Sequence, residues 1–367
     1  MRVVAAGKAA QAMLRVLRTG TYVGDAVVAD RAHPLPDEES VRAGMAALAL
    51  AEAARADDCD LVVLLSGGAS AMLAAPADGV SLELKCEVTR LLLAAGTPIH
   101  DLNAVRKHLS RVKGGRLAMG ASCKTFALSD VTDDDPAAIG SGPTVGDSST
   151  IADAKRVLER TGVAHSVPGV MAAIDRAGET PKPGDASLSQ SQFVLIGGRR
   201  TAMEGVVNAA LARERATIVF DEPITGDASA AGAAFARRAI AAATRIGGAV
   251  VVASGETTVA VRGSGTGGRN QEFAIGAALE LDRTRAERRG AAAIAAFGTD
   301  GIDGNSEAAG AVVDASTVER AVAAGLDARA ALAANDSHAF FARLDNLIIT
   351  GPTGTNVGDV FVAIIDG

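Results

Sequence analysis

The stretch "GSGTGGRNQE", residues 263–272, places several glycines and one arginine directly before a helical pattern. Gly263, Gly265 and Gly268 satisfy G-x-G-x-x-G, the pattern of a dinucleotide-binding turn. Free backbone amides at a helix N-terminus, beside a guanidinium, also favour a phosphate or a carboxylate. The stretch therefore predicts an anion site, with a plain turn as the alternative. The residues expected to form this site are Gly265, Gly267, Gly268, Arg269 and Asn270.

The neighbouring sequence argues against a dinucleotide at this site. The apolar stretches 249–254 and 257–262 are separated only by Gly255 and Glu256. This spacing predicts an antiparallel hairpin, whereas the first strand of a dinucleotide-binding fold has parallel neighbours. Asp300, the acid after the next apolar run, also lies well beyond the roughly 20 residues at which a ribose-binding acid is expected. Another phosphate or a carboxylate is therefore the favoured ligand.

Lys8 lies on a Gly-Lys turn between the apolar run "RVVAA" and a helical pattern. Its place resembles that of a phosphate-binding lysine. However, G-x-x-x-x-G-K-[ST] is absent, because Arg2 and Ala9 stand where the first glycine and the hydroxyl residue belong. The turn is therefore not a P-loop. A lysine at a helix start opposes the helix dipole, which favours a binding role for Lys8 over a solvated one.

Residues 101–115, "DLNAVRKHLSRVKGG", predict a helix that Asp101 caps and that ends at Gly114-Gly115. In a chain with a net charge of -7, a concentration of basic residues next to glycine loops favours an anion site as strongly as a solvated face. The polar and mostly cationic face of this helix would carry Asn103, Arg106, Lys107, Ser110 and Lys113.

The segment 298–310, "GTDGIDGNSEAAG", places Asp300, Asp303 and Glu307 in a glycine-interrupted loop after an apolar run. Clustered carboxylate oxygens suit Mg²⁺, so Asp300 and Asp303 are candidate metal ligands. Asx-turns would explain the same aspartates equally well. Asp130 begins a second acidic loop, which follows another apolar run.

Short apolar runs alternate with alanine-rich helical patterns, which predicts an α/β fold with largely parallel sheets. The runs end in small or polar residues, and ligands of open α/β sheets bind at the carboxyl ends of strands. Two such edges facing one another would form a cleft. At 367 residues the chain exceeds one ordinary core, and the Pro-, Gly- and Ser-rich stretch 177–192 separates a domain of residues 1–186 from one of residues 187–367. The runs are 2–6, 61–65, 125–128, 193–196, 250–253, 292–297 and 347–350.

Charge and cysteine content bear on partners and location. A net charge of -7 and a sequence pI of about 5.4 disfavour nucleic acid as a partner. Cys59, Cys86 and Cys123 follow no metal-ligand spacing, which favours buried thiols in a reducing compartment. There is no run of about 18 apolar residues and no signal-peptide pattern, so we expect a cytoplasmic protein without a membrane partner. Its oligomeric state is open, a homodimer included.

Taken in order, several stretches make the chain resemble the bacterial type of glycerate 2-kinase, the family whose C-terminal domain is named for a leucine-rich fragment found in many organisms. They are "AAGKAA", "HPLPD", "LLSGGASAML", "LNAVRKHLSRVKGG", "LSDV", "SGPTVGD", "SGETTV", "GTGGRNQE", "GTDGIDGNSEAAGA" and "TGPTGTNVGD", and they cover nearly all of the chain. The resemblance implies a Rossmann-like, mostly parallel three-layer domain and a second, mixed-sheet α/β domain. It also implies ATP-dependent phosphorylation of D-glycerate at its 2-hydroxyl, in the cleft between the domains.

The resemblance further implies roles for individual residues. Lys8 and Arg269 match the family's cationic active-site positions, and we expect them to bind the transferring phosphoryl group and the glycerate carboxylate. Asp300 is the third expected catalytic residue; with Asp303 or Asp130 it would hold Mg²⁺ or take the proton from the 2-hydroxyl. The residues expected to line the cleft are Ser66, Gly67, Gly68, Asn103, Arg106, Asp130, Glu256, Asp300 and Asn356.

Two other functions stay open at this point. Members of the family have also been named NAD(P)H-dependent hydroxypyruvate reductases, an interpretation that rests here on the G-x-G-x-x-G letters. A non-catalytic anion-binding module is the second. Relatives usually carry a helical segment of several tens of residues before the Gly-Lys turn, whereas Met1 here lies on the first strand, so either the start codon is assigned late or that helix is missing.

Overall fold

The computed structural model describes residues 1–31, 35–287 and 290–367, so the first two residues of the matching stretch "HPLPD" lie outside the described residues. The chain divides into two compact units, a first unit of Met1–Ile196 and a second unit of Gly197–Gly367. The boundary proposed after residue 186 comes earlier than this division, because the strand Ser191–Gly197 joins the sheet of the first unit. In the described part of the chain, no helix has both the length and the apolar character needed to span a membrane.

The first unit is built on one sheet, whose described strands follow the order β2-β1-β3-β4-β5. The strands are β1 (Arg2–Ala6), β2 (Ala26–Ala29), β3 (Leu61–Leu65), β4 (Cys123–Leu128) and β5 (Ser191–Gly197). β1 pairs in parallel with β2 and β3, and β3 pairs in parallel with β4, which confirms the predicted parallel sheet. The strand order reverses between β1 and β3, and ligands of open α/β sheets bind at the carboxyl ends of strands at such a point. This order is that of flavodoxin-like sheets and differs from that of the dinucleotide-binding fold.

Helices cover both faces of this sheet. Successive residues of a strand point to opposite faces, so apolar residues of one strand pack against helices on both sides. The helices of the unit are α1 (Ala10–Gly20), α2 (Glu38–Ala56), α3 (Ala69–Met72), α4 (Leu82–Ala94), α5 (Ile99–His108), α6 (Ile151–Arg160), α7 (Val163–Ser166) and α8 (Val170–Ala177). Val3 and Ala5 of β1 pack with Leu14 of α1, whereas Val4 packs with Ala47 of α2 on the other face. The predicted three-layer arrangement is therefore confirmed.

Helix α5 packs with α4, α6 and α8 in a separate apolar cluster, and it is shorter than the sequence predicted. It ends at His108 instead of continuing to Gly114. The chain after it forms an antiparallel bridge between Ser110 and Pro76, and this tertiary pairing replaces further helical hydrogen bonds. Ser110 and Lys113 of the predicted polar face therefore lie outside the helix.

The second unit has a mixed sheet, whose described strands follow the order β10-β9-β8-β11-β7-β6. The strands are β6 (Thr217–Asp227), β7 (Gly248–Thr258), β8 (Ala292–Gly298), β9 (Gly310–Asp314), β10 (Leu347–Ile348) and β11 (Asp359–Asp366). β6 and β7 are parallel, and the remaining neighbours are antiparallel. The mixed sheet expected from the resemblance is confirmed.

Helices also cover both faces of the second sheet. They are α9 (Arg199–Leu211), α10 (Ala228–Thr244), α11 (Arg269–Arg283), α12 (Thr317–Ala323), α13 (Ala328–Ala334) and α14 (Ser337–Ala342). Phe273 of α11 stacks on Phe361 of β11 with ring centroids 4.0 Å apart, and Phe235 of α10 packs against both rings. On the other face, Met203 of α9 contacts Val252 of β7. These contacts hold the N-terminus of α11 against the sheet.

The predicted hairpin around Gly255 and Glu256 is wrong, because β7 continues through both residues to Thr258. β7 is an interior strand, parallel to β6 and antiparallel to β11. Its register with β6 shifts between Phe220 and Ile224, and a Cβ at position 255 would overlap the backbone oxygen of Ile224. The glycine therefore permits the close approach of two strands and does not form a turn.

A charged cluster ties the end of α5 to the segment after α8. The two ring nitrogens of the fully buried His108 lie 2.7 Å from Ala104 O and 2.7 Å from Glu179 Oε1. Lys182 Nζ also donates to Glu179 Oε1, at 2.8 Å. Burial alone would raise the pKa of Glu179, but the hydrogen bonds from Lys182 and His108 outweigh it and lower that pKa to about 2.

We expect this cluster to contribute stability above pH 4.5 and to lose it as the pH falls towards 2, because the Glu179 carboxylate must then be protonated. Glu179→Gln should lower the free energy of unfolding at pH 7 by about 1 kcal/mol, since solvent screens this partly exposed side chain. Urea unfolding at several pH values measures the difference, with Glu159→Gln at an exposed position of α6 as the control. A difference between wild type and Glu179→Gln that does not shrink between pH 4.5 and 2 would contradict the prediction.

Candidate active site

The turn after β1 and the loop after β3 lie side by side at the carboxyl edge of the first sheet. Gly7 has a φ of +115°, and a Cβ at this position would overlap Ser66 Oγ. Lys8 N donates to Gly67 O, and Ala9 N donates to Ser66 Oγ, each at 2.9 Å. These bonds hold the backbone of Lys8, whose side chain is exposed at the edge where ligands of such sheets bind.

A chain of hydroxyl groups connects this loop to α5. Gly68 has a φ of +84° and precedes α3, on which Ser70 lies. Ser70 Oγ and Ser141 Oγ are 2.7 Å apart, and Ser141 Oγ donates to Asn103 Oδ1 at 2.9 Å. Ser141 has a φ of +61°, a conformation that costs energy in a residue other than glycine and often occurs at functional sites. Sequence reasoning missed both serines as site residues.

Arg106 lies one helical turn beyond Asn103 on α5 and is half-buried. Among the described residues its guanidinium makes no ion pair and no hydrogen bond. Loss of hydration lowers the pKa of Arg106 to about 10. A cation that loses water without gaining a carboxylate is a candidate for binding an anion.

Asp130 follows the end of β4 by two residues. Because β1, β3 and β4 are parallel, Asp130 lies at the same edge of the sheet as Lys8 and Ser66. The structure therefore gathers the predicted residues of the first unit at or beside one edge: Lys8, Ser66, Gly67, Gly68, Asn103, Arg106 and Asp130.

Arg269 is the first residue of α11, and two carboxylates of the second unit hold it. Its Nε and Nη2 donate to the two carboxylate oxygens of Asp359 at 2.6 and 3.1 Å, and its Nη1 donates to Glu256 Oε1 at 3.0 Å. The Asp359 side chain is 2% exposed, so this pair is bidentate and buried on the acid side. Burial opposes the positive charge, but the hydrogen bonds to Asp359 outweigh it and raise the pKa of Arg269. Sequence reasoning missed Asp359, whose signal is an acid at the start of an apolar strand.

Asp303 caps helix α11 from a different loop. Its Oδ1 accepts hydrogen bonds from N and Nδ2 of Asn270, and its Oδ2 accepts from N and Nε2 of Gln271, at 2.9 to 3.3 Å. The residue is 1% exposed, and burial raises the pKa of its carboxyl group. Because four donors already occupy the carboxylate, the structure gives Asp303 a capping role where metal ligation was expected. The same bonds use the backbone amide of Asn270, which was expected to bind a ligand anion.

The glycines of the 263–268 loop permit close packing between chain segments. Gly265 N donates to Ala334 O at 3.2 Å, and Gly267 N donates to Asn305 Oδ1 at 2.8 Å. These protein acceptors occupy two of the amides that were expected to cradle an anion. The glycines of the G-x-G-x-x-G pattern are therefore explained by the close approach of neighbouring chain segments. Cβ atoms at Gly263, Gly265, Gly267 and Gly268 would overlap Ala334, Asp336, Ser337 and Asp303, respectively.

Asp300 lies half-buried after the carboxyl end of β8. Its Oδ1 accepts from Ile302 N at 3.2 Å in an Asx-turn that orients the carboxylate. A Cβ at Gly298 would lie 3.1 Å from Asp300 Oδ1 and 3.6 Å from Asn270 Nδ2, so both side chains flank the end of the strand. Within the described ranges, no group of three or more His, Cys, Asp or Glu side chains is arranged to hold a metal ion.

The loop that carries Asn356 is tied to the same strand end. Thr299 Oγ1 accepts from Val357 N and donates to Gly358 O, each at 2.8 Å. Asp359 then opens β11 opposite both Gly255 of β7 and Gly298 of β8. The second unit therefore gathers its predicted residues around these strand ends: Glu256, Arg269, Asn270, Asp300 and Asn356.

Comparison with known proteins matches both units. Residues 1–175 match a domain of unknown function, DUF4147, and residues 249–359 match the MOFRL family. A glycerate 2-kinase of Pyrococcus horikoshii is 35% identical to this chain, over 99% of this chain and 87% of its own length. The chain belongs to the glycerate 2-kinase family. A crystal structure of a glycerate kinase from Thermotoga maritima matches it with a TM-score of 0.85 and 35% identity, over 99% of this chain and 91% of that chain.

Another relative, from Agrobacterium vitis, is 36% identical over 99% of this chain and 86% of its own length, and it carries the provisional name hydroxypyruvate reductase. The two family models divide the candidate residues between them. The first covers Lys8 and Arg106, and the second covers Arg269, Asp300 and Asp359. The solved glycerate kinase structure confirms the two-domain α/β fold class that the resemblance implied.

Proposed function

We propose that this member of the glycerate 2-kinase family transfers a phosphoryl group from ATP to the 2-hydroxyl of D-glycerate, which gives 2-phosphoglycerate and ADP. The observation that carries the proposal is the position of Lys8 beside the point where the strand order reverses. Hydrogen bonds from Lys8 N to Gly67 and from Ala9 N to Ser66 hold the lysine there. The similarity to the Pyrococcus glycerate 2-kinase and to the Thermotoga glycerate kinase supports the substrate and the reaction.

Catalysis of phosphoryl transfer depends on in-line positioning and on neutralising charge, and both tasks suit the cations of this chain. The ammonium group of Lys8 stabilises the transferring phosphoryl group. Arg269 uses three of its five N–H donors on Asp359 and Glu256, which fixes the plane of the guanidinium and directs the remaining donors to a phosphate oxygen.

Two carboxylates complete the proposed mechanism. Asp300 fits a magnesium ion better than Asp303 does, because Asp300 is half-buried at a strand end whereas four donors surround the Asp303 carboxylate. Bound together with the nucleotide, Mg²⁺ would neutralise charge on its phosphates. Asp130, at the sheet edge of the first unit, takes the proton from the 2-hydroxyl as the phosphoryl group is transferred.

The remaining parts of the proposal concern location and partners. Cys59, Cys86 and Cys123 form no disulfide among the described residues, which supports a reducing environment such as the cytoplasm. The partners are a nucleotide and a small hydroxy acid, and the net charge of -7 disfavours nucleic acid.

A coupled assay of ADP release tests the proposal. We expect ADP release to depend on D-glycerate and Mg²⁺, and 2-phosphoglycerate to accumulate in equal amount. Asp300→Asn should raise the Mg²⁺ concentration needed for half-maximal rate, whereas Asp130→Asn should lower kcat at every Mg²⁺ concentration. Absence of glycerate-dependent ADP release from folded wild-type protein would refute the proposal.

The name of the Agrobacterium relative favours hydroxypyruvate reduction as the second candidate function. Reduction requires a nicotinamide dinucleotide, yet the strand order of the first unit differs from that of the dinucleotide-binding fold, and protein acceptors occupy amides of the glycine loop. Oxidation of NADH or NADPH by hydroxypyruvate, followed at the nicotinamide absorbance band, separates the two functions. We expect no oxidation.

A further inference from the structure

We propose that Arg106 and Asn103 form the site that binds the carboxylate of the acid substrate. This inference rests on the proposed function and adds the substrate class that the site selects: small acids with a hydroxyl next to the carboxylate. It also changes the role of Arg269, which was expected from the sequence to share in binding this carboxylate.

The positive charge of Arg106 differs from those of its neighbours in its surroundings. Neighbouring cations of the first unit have protein partners: Lys107 Nζ donates to Asp147 Oδ1 at 3.0 Å, and Lys113 Nζ donates to Ser70 O at 2.7 Å. The guanidinium of Arg106 makes neither an ion pair nor a hydrogen bond to a carbonyl group among the described residues, although Arg106 is half-buried. Removing a guanidinium from water without compensation is unfavourable, and binding of an anion would supply the missing partner.

The amide of Asn103 is buried, and the residue is 3% exposed. Its Oδ1 accepts from Ser141 Oγ, while its Nδ2 has no acceptor in the described structure. A buried donor without a partner is rare in folded proteins, because its lost hydration is not repaid. Ser141 adopts an unfavourable φ of +61°, and in this conformation its hydroxyl donates to the amide oxygen of Asn103. The surrounding structure therefore fixes the orientation of the amide.

Asn103 and Arg106 are three residues apart on α5. Residues three apart on a helix lie next to one another on its surface, so the guanidinium and the amide can bind the two oxygens of one carboxylate. The hydrogen-bonded path from Asn103 through Ser141 to Ser70 leads to the loop that fixes Lys8. Asn103 is therefore connected through two serine side chains to the segment beside Lys8, the lysine proposed to stabilise the transferring group.

The charges around Arg269 support this division of roles. Arg269 already faces the carboxylates of Asp359 and Glu256, which together exceed its single positive charge. A substrate carboxylate at that position would meet repulsion from both acids, whereas the charge of the nucleotide phosphates would be shared with Mg²⁺. Arg106 offers a positive charge that no acid of the described residues neutralises, and is therefore the better anchor for an anionic substrate.

The test compares Arg106→Met, Arg106→Lys and Asn103→Ala with wild type, and uses Arg111→Met as the control. Arg111 is an arginine of the same region that is exposed and makes a 3.6 Å surface pair with Asp78. We expect Arg106→Met to raise the KM for glycerate by about 10- to 100-fold, with the KM for ATP unchanged and partial recovery in Arg106→Lys. Asn103→Ala should shift the same KM in the same direction, and the control should shift neither.

Stability separates a binding role from a structural one. If Arg106 serves the ligand, Arg106→Met removes an uncompensated charge, and the midpoint of thermal unfolding without ligand should stay unchanged or rise. Added glycerate should raise that midpoint in wild type and not in Arg106→Met. An unchanged KM for glycerate in folded Arg106→Met would overturn the inference, and so would a lowered midpoint combined with equal effects on both substrates.

A direct measurement of binding tests this inference independently of the proposed kinase activity. Calorimetric titration with D-glycerate and with glycerol, its analogue without a carboxylate, requires no turnover. Glycerate binding that Arg106→Met abolishes, in a wild-type protein that releases no ADP, would support the carboxylate site while refuting the kinase. Equal binding of glycerate by wild type and Arg106→Met would overturn the carboxylate site whatever the activity.

Discussion

Lys8→Met is expected to lower kcat by about 10²- to 10³-fold, the loss typical for removing one group that stabilises the transition state. The side chain of Lys8 is exposed, and the hydrogen bond from its backbone nitrogen to Gly67 O is one that methionine retains. The urea concentration at the unfolding midpoint should therefore stay near that of wild type. Steady-state ADP release and urea unfolding of the same preparation measure both quantities.

Two further variants sharpen this test. Lys8→Arg keeps the charge and should retain more activity than Lys8→Met, although the different shape of the guanidinium prevents full recovery. Lys124→Met removes an exposed lysine of β4 that pairs with Asp60, and it should leave kcat unchanged. A Lys8→Met protein with nearly wild-type kcat would show that the lysine does not act on the transferring phosphoryl group.

Arg269→Met is expected to abolish turnover and also to lower the free energy of unfolding by about 3–5 kcal/mol, because it leaves the carboxylate of Asp359 buried without its partner. The same guanidinium that is proposed to bind phosphate also neutralises a side chain that is 2% exposed.

A double variant distinguishes the two roles of Arg269. Arg269→Met combined with Asp359→Asn removes both charges and should recover a large part of the lost stability, whereas activity should stay absent. Arg215→Met, which breaks an exposed pair with Asp366, is the control and should change stability by no more than about 1 kcal/mol. Recovery of activity in the double variant would show that Arg269 is structural and takes no part in phosphoryl transfer.

Much of the framework of the site could be predicted from local patterns. The apolar runs 2–6 and 61–65 coincide with β1 and β3, and the small or polar residues that follow them form the loops around Lys8 and Ser66. This success has a simple reason. A buried parallel strand needs a continuous apolar run, and its end is visible in the sequence as the return of polar residues and glycine.

Other features depend on partners that the sequence could not identify. Gly255 was interpreted as a turn although it lies inside β7, and its missing side chain makes room for Ile224 of β6. Asp303, predicted as a metal ligand, accepts four hydrogen bonds at the N-terminus of α11. In each case the sequence indicates that the residue has a particular role, but its partner comes from a distant part of the chain that no local pattern identifies.

The sequence by itself determined the strand ends, the alternation of helices and strands, and the exposed lysine on the first turn, because each depends on neighbouring residues and their hydrophobic period. Only the tertiary structure decided which charges are already neutralised. Asp359 is 90 positions from Arg269, and it reaches that guanidinium because β11 pairs between β7 and β8. Arg106, in contrast, folds into a half-buried place where the described residues provide no acid, and this difference assigns the two arginines their proposed roles.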